Sequence, residues 1–85
     1  MEYQVLLSDL ARKQLKSLDK ETSKRVVDKL EILRRDPLGA IKRLVGIDFY
    51  SLRAGDYRIL LSIDLRQQVI TVQRIGHRSN VYDRI

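Results

Sequence analysis

The first part of the chain combines a short extended pattern with a helical one. Residues 3–7 are mostly aromatic, β-branched or apolar, which is typical of a short strand. Ser8-Asp9 then offers an N-cap, and apolar residues follow at the spacing of one helix face: Ala11, Leu15 and Leu18. The pattern predicts an opening strand that runs directly into a helix.

A second helix is predicted to begin near residues 19–22. Its apolar stripe is widened by Val27 and otherwise consists of Val26, Leu30 and Leu33. Asp36-Pro37 ends this helix, because proline disfavours helix in the residue before it and has no amide hydrogen to donate. Only a few residues separate the two helices, so we expect them to form an αα-hairpin.

The period changes from helical to extended in the second half, where apolar and polar residues alternate. The predicted elements are a connector over 37–46, strands over 49–53, 57–64 and 69–75, a short loop over 54–56 and a turn near 64–68. The fold class is therefore α+β, with an N-terminal strand, a two-helix hairpin and a three-stranded antiparallel meander. The length predicts a single domain over residues 1–85.

Alternation separates Arg58 from the apolar row of its strand, which contains Tyr57, Ile59, Leu61 and Ile63. The helices need only one face of the sheet, so the arginine face is predicted to form a basic concavity, although Leu60 shares it. Arg53 lies one short hairpin away. Whether Arg53 and Arg58 converge depends on a strand register that local pattern does not fix.

The charge balance favours a polyanionic partner. The net charge is +6 and the isoelectric point is about 10.0, and surplus Lys and Arg on a small domain suit phosphates. Every lysine lies at or before Lys42, whereas all later basic residues except His77 are arginines. Because arginine grips phosphate with a rigid planar fork, the second half is better equipped for aimed contacts.

The amino-acid composition also argues against several kinds of binding site and against a membrane protein. There is no cysteine, which excludes disulfides and thiolate metal sites. The single histidine and scattered carboxylates lack a recognisable metal-ligand spacing, and no phosphate-binding glycine loop is present, so we expect no cofactor. No apolar run is long enough to span a membrane and no signal peptide is recognisable, which predicts a cytoplasmic protein without a membrane partner.

The C-terminal stretch GHRSNVY, residues 76–82, brings together groups suited to metal-independent RNA cleavage. Such cleavage needs a proton acceptor, a cation for the phosphorane charge and a proton donor to the leaving oxygen. His77 is the residue type best suited to either proton transfer, Arg78 is a permanent cation, and Tyr82 is a weaker acid–base candidate that can also stack on a base. The alternatives are an exposed His77, a Tyr82 that closes the core, and an Arg58 paired with Asp56, Asp64 or Asp83.

In this order and spacing, several motifs resemble the RelE family within the RelE/ParE toxin superfamily, over nearly the whole chain. The most specific is YSLRAGDYR over residues 50–58, followed by RIGHR over residues 74–78 with Val81-Tyr82 behind it. The others are Ser-x-x-Ala from Ser8, KSLD over 16–19, Asp36-Pro37, and KRLVG over 42–46.

This resemblance implies a microbial RNase-like fold and ribosome-dependent cleavage of mRNA in the ribosomal A site. By this resemblance Arg58 would stabilise the phosphate, Arg78 would be the second active-site arginine, and Tyr82 would stack on a base or act as an acid or base. The supporting, RNA-binding residues would be Lys42, Arg43, Arg53 and His77. It also implies a RelB-like antitoxin that blocks the site.

One departure from the family pattern leaves other functions open. Ser51 stands where well-studied members carry a second basic residue, which makes a weakened, RNA- or antitoxin-binding member an alternative. A ParE-type toxin that binds DNA gyrase is another. That branch generally lacks the C-terminal His-Arg…Tyr combination, so residues 77–82 favour the ribonuclease.

Overall fold

The protein folds as two helices packed against one face of a five-stranded sheet. The structure is a computed structural model that describes residues 3–36, the backbone of 42–43, and residues 49–77. Its elements are strands β1 (Gln4–Leu7), β2 (Lys42–Arg43), β3 (Tyr50–Ala54), β4 (Tyr57–Asp64) and β5 (Val69–His77), and helices α1 (Asp9–Ser17) and α2 (Lys20–Arg35). The predicted α+β class is confirmed, and β2 adds a short strand within the predicted connector. Within these ranges, neither helix is long and apolar enough to cross a membrane.

The strands lie in the order β1-β5-β4-β3-β2. β3, β4 and β5 form the predicted antiparallel meander, and β2 pairs antiparallel with β3. β1 instead pairs parallel with β5. A parallel pair needs a long crossover connection, and the chain between these two strands includes both helices. The first and last strands thus become neighbours, and because they run parallel, the described chain begins at one end of this strand pair and finishes at the other.

Each helix begins at an N-cap residue, and the sequence predicts the first of these, Ser8. The Ser8 Oγ accepts a hydrogen bond from the Ala11 N–H at 3.0 Å. The Asp19 carboxylate accepts one from the Thr22 N–H at 3.3 Å. These bonds satisfy amides that have no partner inside the first helical turn, so the helix starts are set by local sequence.

Asp19 makes the stability of α2 sensitive to acid. Hydrogen bonding by Thr22, first through its side chain and then through its N–H, lowers the pKa of Asp19 below the ordinary 3.8. A depressed pKa in the folded state means that the charged cap stabilises the fold above the ordinary pKa, and that this contribution is lost as pH falls through the folded value. Asparagine keeps a capping oxygen without the charge.

We therefore expect Asp19→Asn to reduce the loss of stability on acidification while changing stability at neutral pH little. Urea unfolding at neutral pH and below 3.8 measures both. Asp28→Asn, at an exposed position in the middle of the same helix, is the matched control. Equal acid sensitivity in wild type and Asp19→Asn would show that the cap does not contribute.

The core lies between the helices and one face of the sheet. The predicted stripe of α2 is buried there through Val26, Leu30 and Leu33, together with Ala11 of α1. The prediction that Val27 widens this stripe is wrong, since Val27 is 42% exposed. Each helical residue is rotated by roughly 100° from the one before it, so the residue after Val26 turns away from the sheet.

Candidate functional site

The β3–β4 hairpin places Arg53 directly opposite Arg58. Ala54 pairs with Tyr57, so the loop contains only Gly55 and Asp56, and the next pair along the strands is Arg53 with Arg58. Gly55 has a φ of +62°, and a Cβ there would lie 3.2 Å from Nη1 of Arg25. The positive φ favours glycine at this position, whereas the flexible end of the Arg25 side chain can move by the few tenths of an ångström that a Cβ would need. The loop sets the register that the sequence left open.

The two arginines lie on the sheet face that the helices do not cover. Arg58 alternates with the buried Ile59, which belongs to the helix-facing core. Arg53 is exposed, and its Nε donates a hydrogen bond to the Gly55 carbonyl oxygen at 3.1 Å. That bond holds the guanidinium at the hairpin end of the sheet, beside Arg58. The prediction that Arg58 faces away from the apolar row agrees with this register.

The described residues provide Arg58 with no carboxylate partner. Its side chain forms no salt bridge and no hydrogen bond within residues 3–36 and 49–77. Asp64, one of the alternatives, instead accepts hydrogen bonds from the backbone N–H groups of Arg66 and Gln67, at 3.0 and 3.1 Å. Asp56 lies exposed in the hairpin loop, and Asp83 lies outside the described residues. No carboxylate of the described residues therefore neutralises the Arg58 side chain.

Like charges directly opposite each other on neighbouring strands destabilise a sheet. The Arg53–Arg58 pair is such an arrangement, because directly paired residues have Cβ atoms only about 4.5–5.5 Å apart. An anion bound across the pair would relieve the repulsion and receive hydrogen bonds from two planar forks. A phosphate fits this arrangement.

A third arginine on this face, Arg74, was missed by sequence reasoning. Strict alternation puts Arg74 on the same side as the buried Ile70 and Val72. In the structure Leu60 pairs with Arg74 but Leu61 pairs with Val72, so Gln73 is an extra residue in β5. This bulge shifts the alternation by one position. The sequence signal is that the next apolar residue after Val72 is Ile75, three positions on.

The centre of the basic face is apolar and buried. Leu60 is only 2% exposed, although it lies outside the helix-facing core cluster. It pairs with Ser51 on one side and Arg74 on the other. Ser51, where the family resemblance leads us to expect a cation, is also buried. An apolar residue among cations lowers the local dielectric constant, which strengthens their interaction with a bound anion.

His77 lies with Tyr57 rather than with the arginines. The two residues pair across β4 and β5, and their rings meet edge to face with centroids 5.8 Å apart. Tyr57 packs against the core on the helix-facing side, whereas Arg58 and its partner Gly76 lie on the other side. His77 is exposed at the end of β5. The structure therefore does not bring His77 together with Arg58, and its supporting role stays a prediction.

The structure describes the other predicted site residues only in part or not at all. Arg78 and Tyr82 lie outside the described residues. Lys42 and Arg43 form β2, where their backbones pair with Ser51 and Tyr50. Their roles stay predictions. Within the described residues, histidine and acidic side chains form no group of three that could hold a metal ion.

Comparison with known protein families decides which kind of protein carries this basic face. The model for the ParE toxin of the type II toxin–antitoxin system parDE matches residues 5–82. The chain belongs to this family. No curated protein sequence matches this toxin significantly. The family match spans the helices, the sheet and all three arginines of the basic face.

Solved structures of RelE toxins resemble this toxin over nearly their whole length. A chain of the RelBE2 toxin–antitoxin complex of Mycobacterium tuberculosis is 31% identical in sequence to this chain. The match covers 92% of this chain and 100% of that chain, with a TM-score of 0.81. The archaeal RelE–RelB complex of Pyrococcus horikoshii is 27% identical, with coverages of 95% and 100% and a TM-score of 0.78. The isolated Escherichia coli RelE toxin is 28% identical, with coverages of 95% and 92% and a TM-score of 0.76. The predicted membership of the RelE/ParE superfamily is confirmed.

Proposed function

We propose that this toxin is a metal-independent endoribonuclease that cleaves mRNA in the ribosomal A site. The observation that carries the proposal is the Arg53–Arg58 pair, two cations side by side on the sheet face that the helices do not cover, without a described carboxylate partner. Such an arrangement destabilises the free protein and favours a bound phosphate. The similarity to RelE toxins supports mRNA as the source of that phosphate.

In the proposed reaction the RNA supplies its own nucleophile. The 2′-hydroxyl attacks the adjacent phosphorus, the bond to the 5′-oxygen breaks, and the products carry a 2′,3′-cyclic phosphate and a 5′-hydroxyl. Arg58 stabilises the additional negative charge of the phosphorane, and Arg53 orients the phosphate. We propose that Tyr82 accepts the 2′-hydroxyl proton, that Arg78 assists protonation of the 5′-oxygen, and that His77 supports RNA binding.

The same basic face offers a surface for a protein inhibitor. Relatives of this toxin were solved as toxin–antitoxin complexes, including the RelBE2 and RelE–RelB complexes. We propose that this toxin likewise binds a RelB-like antitoxin, whose acidic side chains would neutralise part of the +6 charge. An antitoxin that covers Arg58 would prevent RNA from reaching it.

The deciding experiment maps mRNA ends after purified toxin is added to translating ribosomes. Primer extension is expected to show new 5′ ends within A-site codons, only when the mRNA is being translated. The Arg58→Ala/Arg78→Ala double variant is the control for contaminating nuclease and should give no new ends. Intact mRNA with wild-type toxin, or equal cleavage by the double variant, would overturn the proposal.

Two other candidate functions have a specific observation in their favour. The family description names ParE, which favours a toxin that binds DNA gyrase. Trapped DNA–gyrase complexes in cells that express the toxin, with intact mRNA, would establish that function. The serine at position 51 favours a weakened, binding-only member, which would show RNA or antitoxin binding without cleavage.

A further inference from the structure

We propose that Arg74 binds a phosphate adjacent to the one held by Arg58, and that the bulge at Gln73 serves to turn Arg74 onto this face. The inference rests on the proposed function, because it takes the ligand of the basic face to be single-stranded RNA. It adds a phosphate-binding residue and a means of positioning that residue. The site then covers at least two consecutive phosphates rather than the scissile one alone.

The strand register places Arg74 diagonally beside Arg58. Arg58 pairs with Gly76, and Arg74 lies two residues before Gly76 on the same strand. Diagonal neighbours on one face of a sheet are about 7–8 Å apart, within reach of long side chains. Gly76 itself has no side chain, so none stands directly beside Arg58 on β5. The three arginines therefore form a bent row, with Arg53 and Arg58 at the hairpin end and Arg74 further along the sheet.

Three side-chain hydrogen bonds surround the bulge and fix its shape. The Ser8 Oγ donates to the Gln73 carbonyl oxygen at 2.9 Å, and the Ile75 N–H donates to Oε1 of Gln14 at 2.7 Å. The Gln73 Nε2 donates to the Ser62 Oγ at 3.1 Å. β1 ends at Leu7, opposite Val72, so beyond the bulge no described strand pairs with β5 on that side. Residues at the start and in the middle of α1 provide partners there instead.

Bulges often occur next to functional sites, where they change the direction of a side chain, and the bulge at Gln73 does this for Arg74. Without the extra residue, Arg74 would point into the core between the sheet and the helices, where an unpaired cation is excluded. With it, Arg74 lies half-exposed on the arginine face. Within residues 3–36 and 49–77, the Arg74 side chain forms no hydrogen bond or salt bridge, so the position of this side chain is explained by no described intramolecular partner.

Arg74 also replaces a cation that this chain lacks on β3. Lys42, Ser51, Leu60 and Arg74 pair in turn across β2, β3, β4 and β5. Ser51 occupies the position where the family resemblance leads us to expect a base, and it is buried. Arg74 lies two strands away from Ser51 in the same row, on the other side of Leu60. A cation is thus retained beside Arg58, but on its β5 side.

The test compares Arg74→Gln with Arg66→Gln, which removes the same charge from the exposed β4–β5 turn. Each full-length variant is titrated with a fluorescent single-stranded oligoribonucleotide over a range of salt concentrations. Arg74→Gln is expected to weaken binding roughly tenfold. It should also lower the slope of log affinity against log salt by about 0.7, the value for one phosphate contact. Arg66→Gln should leave both close to those of wild type.

A double-mutant cycle tests the role of the bulge. Gln14→Ala removes the side chain that holds the Ile75 N–H, and we expect it to weaken RNA binding several-fold in the wild-type background. In the Arg74→Gln background it should weaken binding no further, since Gln14 acts through Arg74. Its effect on unfolding should be the same in both backgrounds. A purely structural Gln14 would instead affect RNA binding equally in the two.

The outcomes separate this inference from the proposed function. Suppose that wild type cleaves mRNA on ribosomes. The inference about Arg74 is then overturned, and the proposed function stands, if Arg74→Gln binds RNA as tightly as Arg66→Gln does or if wild type binds no free RNA. The opposite result is that wild type does not cleave mRNA, while Arg74→Gln binds RNA more weakly than wild type and with one salt-dependent contact fewer. In that case the Arg74 contact is supported and the nuclease proposal fails. Additive effects of Gln14→Ala and Arg74→Gln would overturn the role of the bulge.

Discussion

Arg58→Gln is expected to lower the rate of mRNA cleavage by about 10²–10³-fold while leaving the fold at least as stable as wild type. The loss follows from removing a cation aimed at charge that develops in the transition state. The gain in stability follows from removing the repulsion between Arg58 and Arg53, which are directly paired. Relief of like charges at such a position is worth up to about 1 kcal/mol of unfolding free energy. Activity and stability should therefore change in opposite directions.

Cleavage rates on translating ribosomes and urea unfolding of the free toxin measure the two effects. The gain in stability should shrink as salt is added, because the repulsion is between partly exposed charges. Arg66→Gln is the matched control for net charge and should change neither quantity appreciably. A variant that lost activity only in proportion to lost stability would show that Arg58 is a structural residue. Undiminished cleavage would remove it from the active site.

Leu61→Ala is expected to lower the free energy of unfolding by about 2–5 kcal/mol. Leu61 is 0% exposed and belongs to β4, which pairs with a strand on either side. Its side chain lies in the cluster between the sheet and the helices. Small domains bury a limited share of their surface, and total stabilities are roughly 5–15 kcal/mol. One truncation here therefore removes a large fraction of the stability of this 85-residue protein.

Urea or thermal unfolding followed by circular dichroism measures this loss. Leu65→Ala is the control, because Leu65 is 59% exposed in the turn after β4 and the same atoms are removed without leaving a cavity. Cleavage activity of Leu61→Ala should recover on cooling or with a ligand that binds only the folded state. A loss below about 1 kcal/mol would mean that the neighbouring side chains collapse into the space.

Much of the fold follows from the sequence because its signals are local. Ser8 caps α1 as predicted, and α2 begins within the predicted range 19–22, with Asp19 as its N-cap. Pro37 follows the last described residue after α2. The alternation through residues 57–64 predicted both β4 and the face on which Arg58 lies. Each of these features depends on residues within a few positions of one another, where propensity, capping and periodicity act directly.

Only the tertiary structure decided which residues share the basic face. Strand register is set between residues far apart in sequence, and a shift of one residue reverses the face of every side chain that follows. The pairing of Arg53 with Arg58 became definite through the two-residue loop at Gly55. One extra residue at Gln73 brought Arg74 to the same face, held by side chains of α1 that are distant in the chain. The sequence by itself determined that this protein carries arginines on a sheet, and the packing of α1 against β5 determined which of them meet.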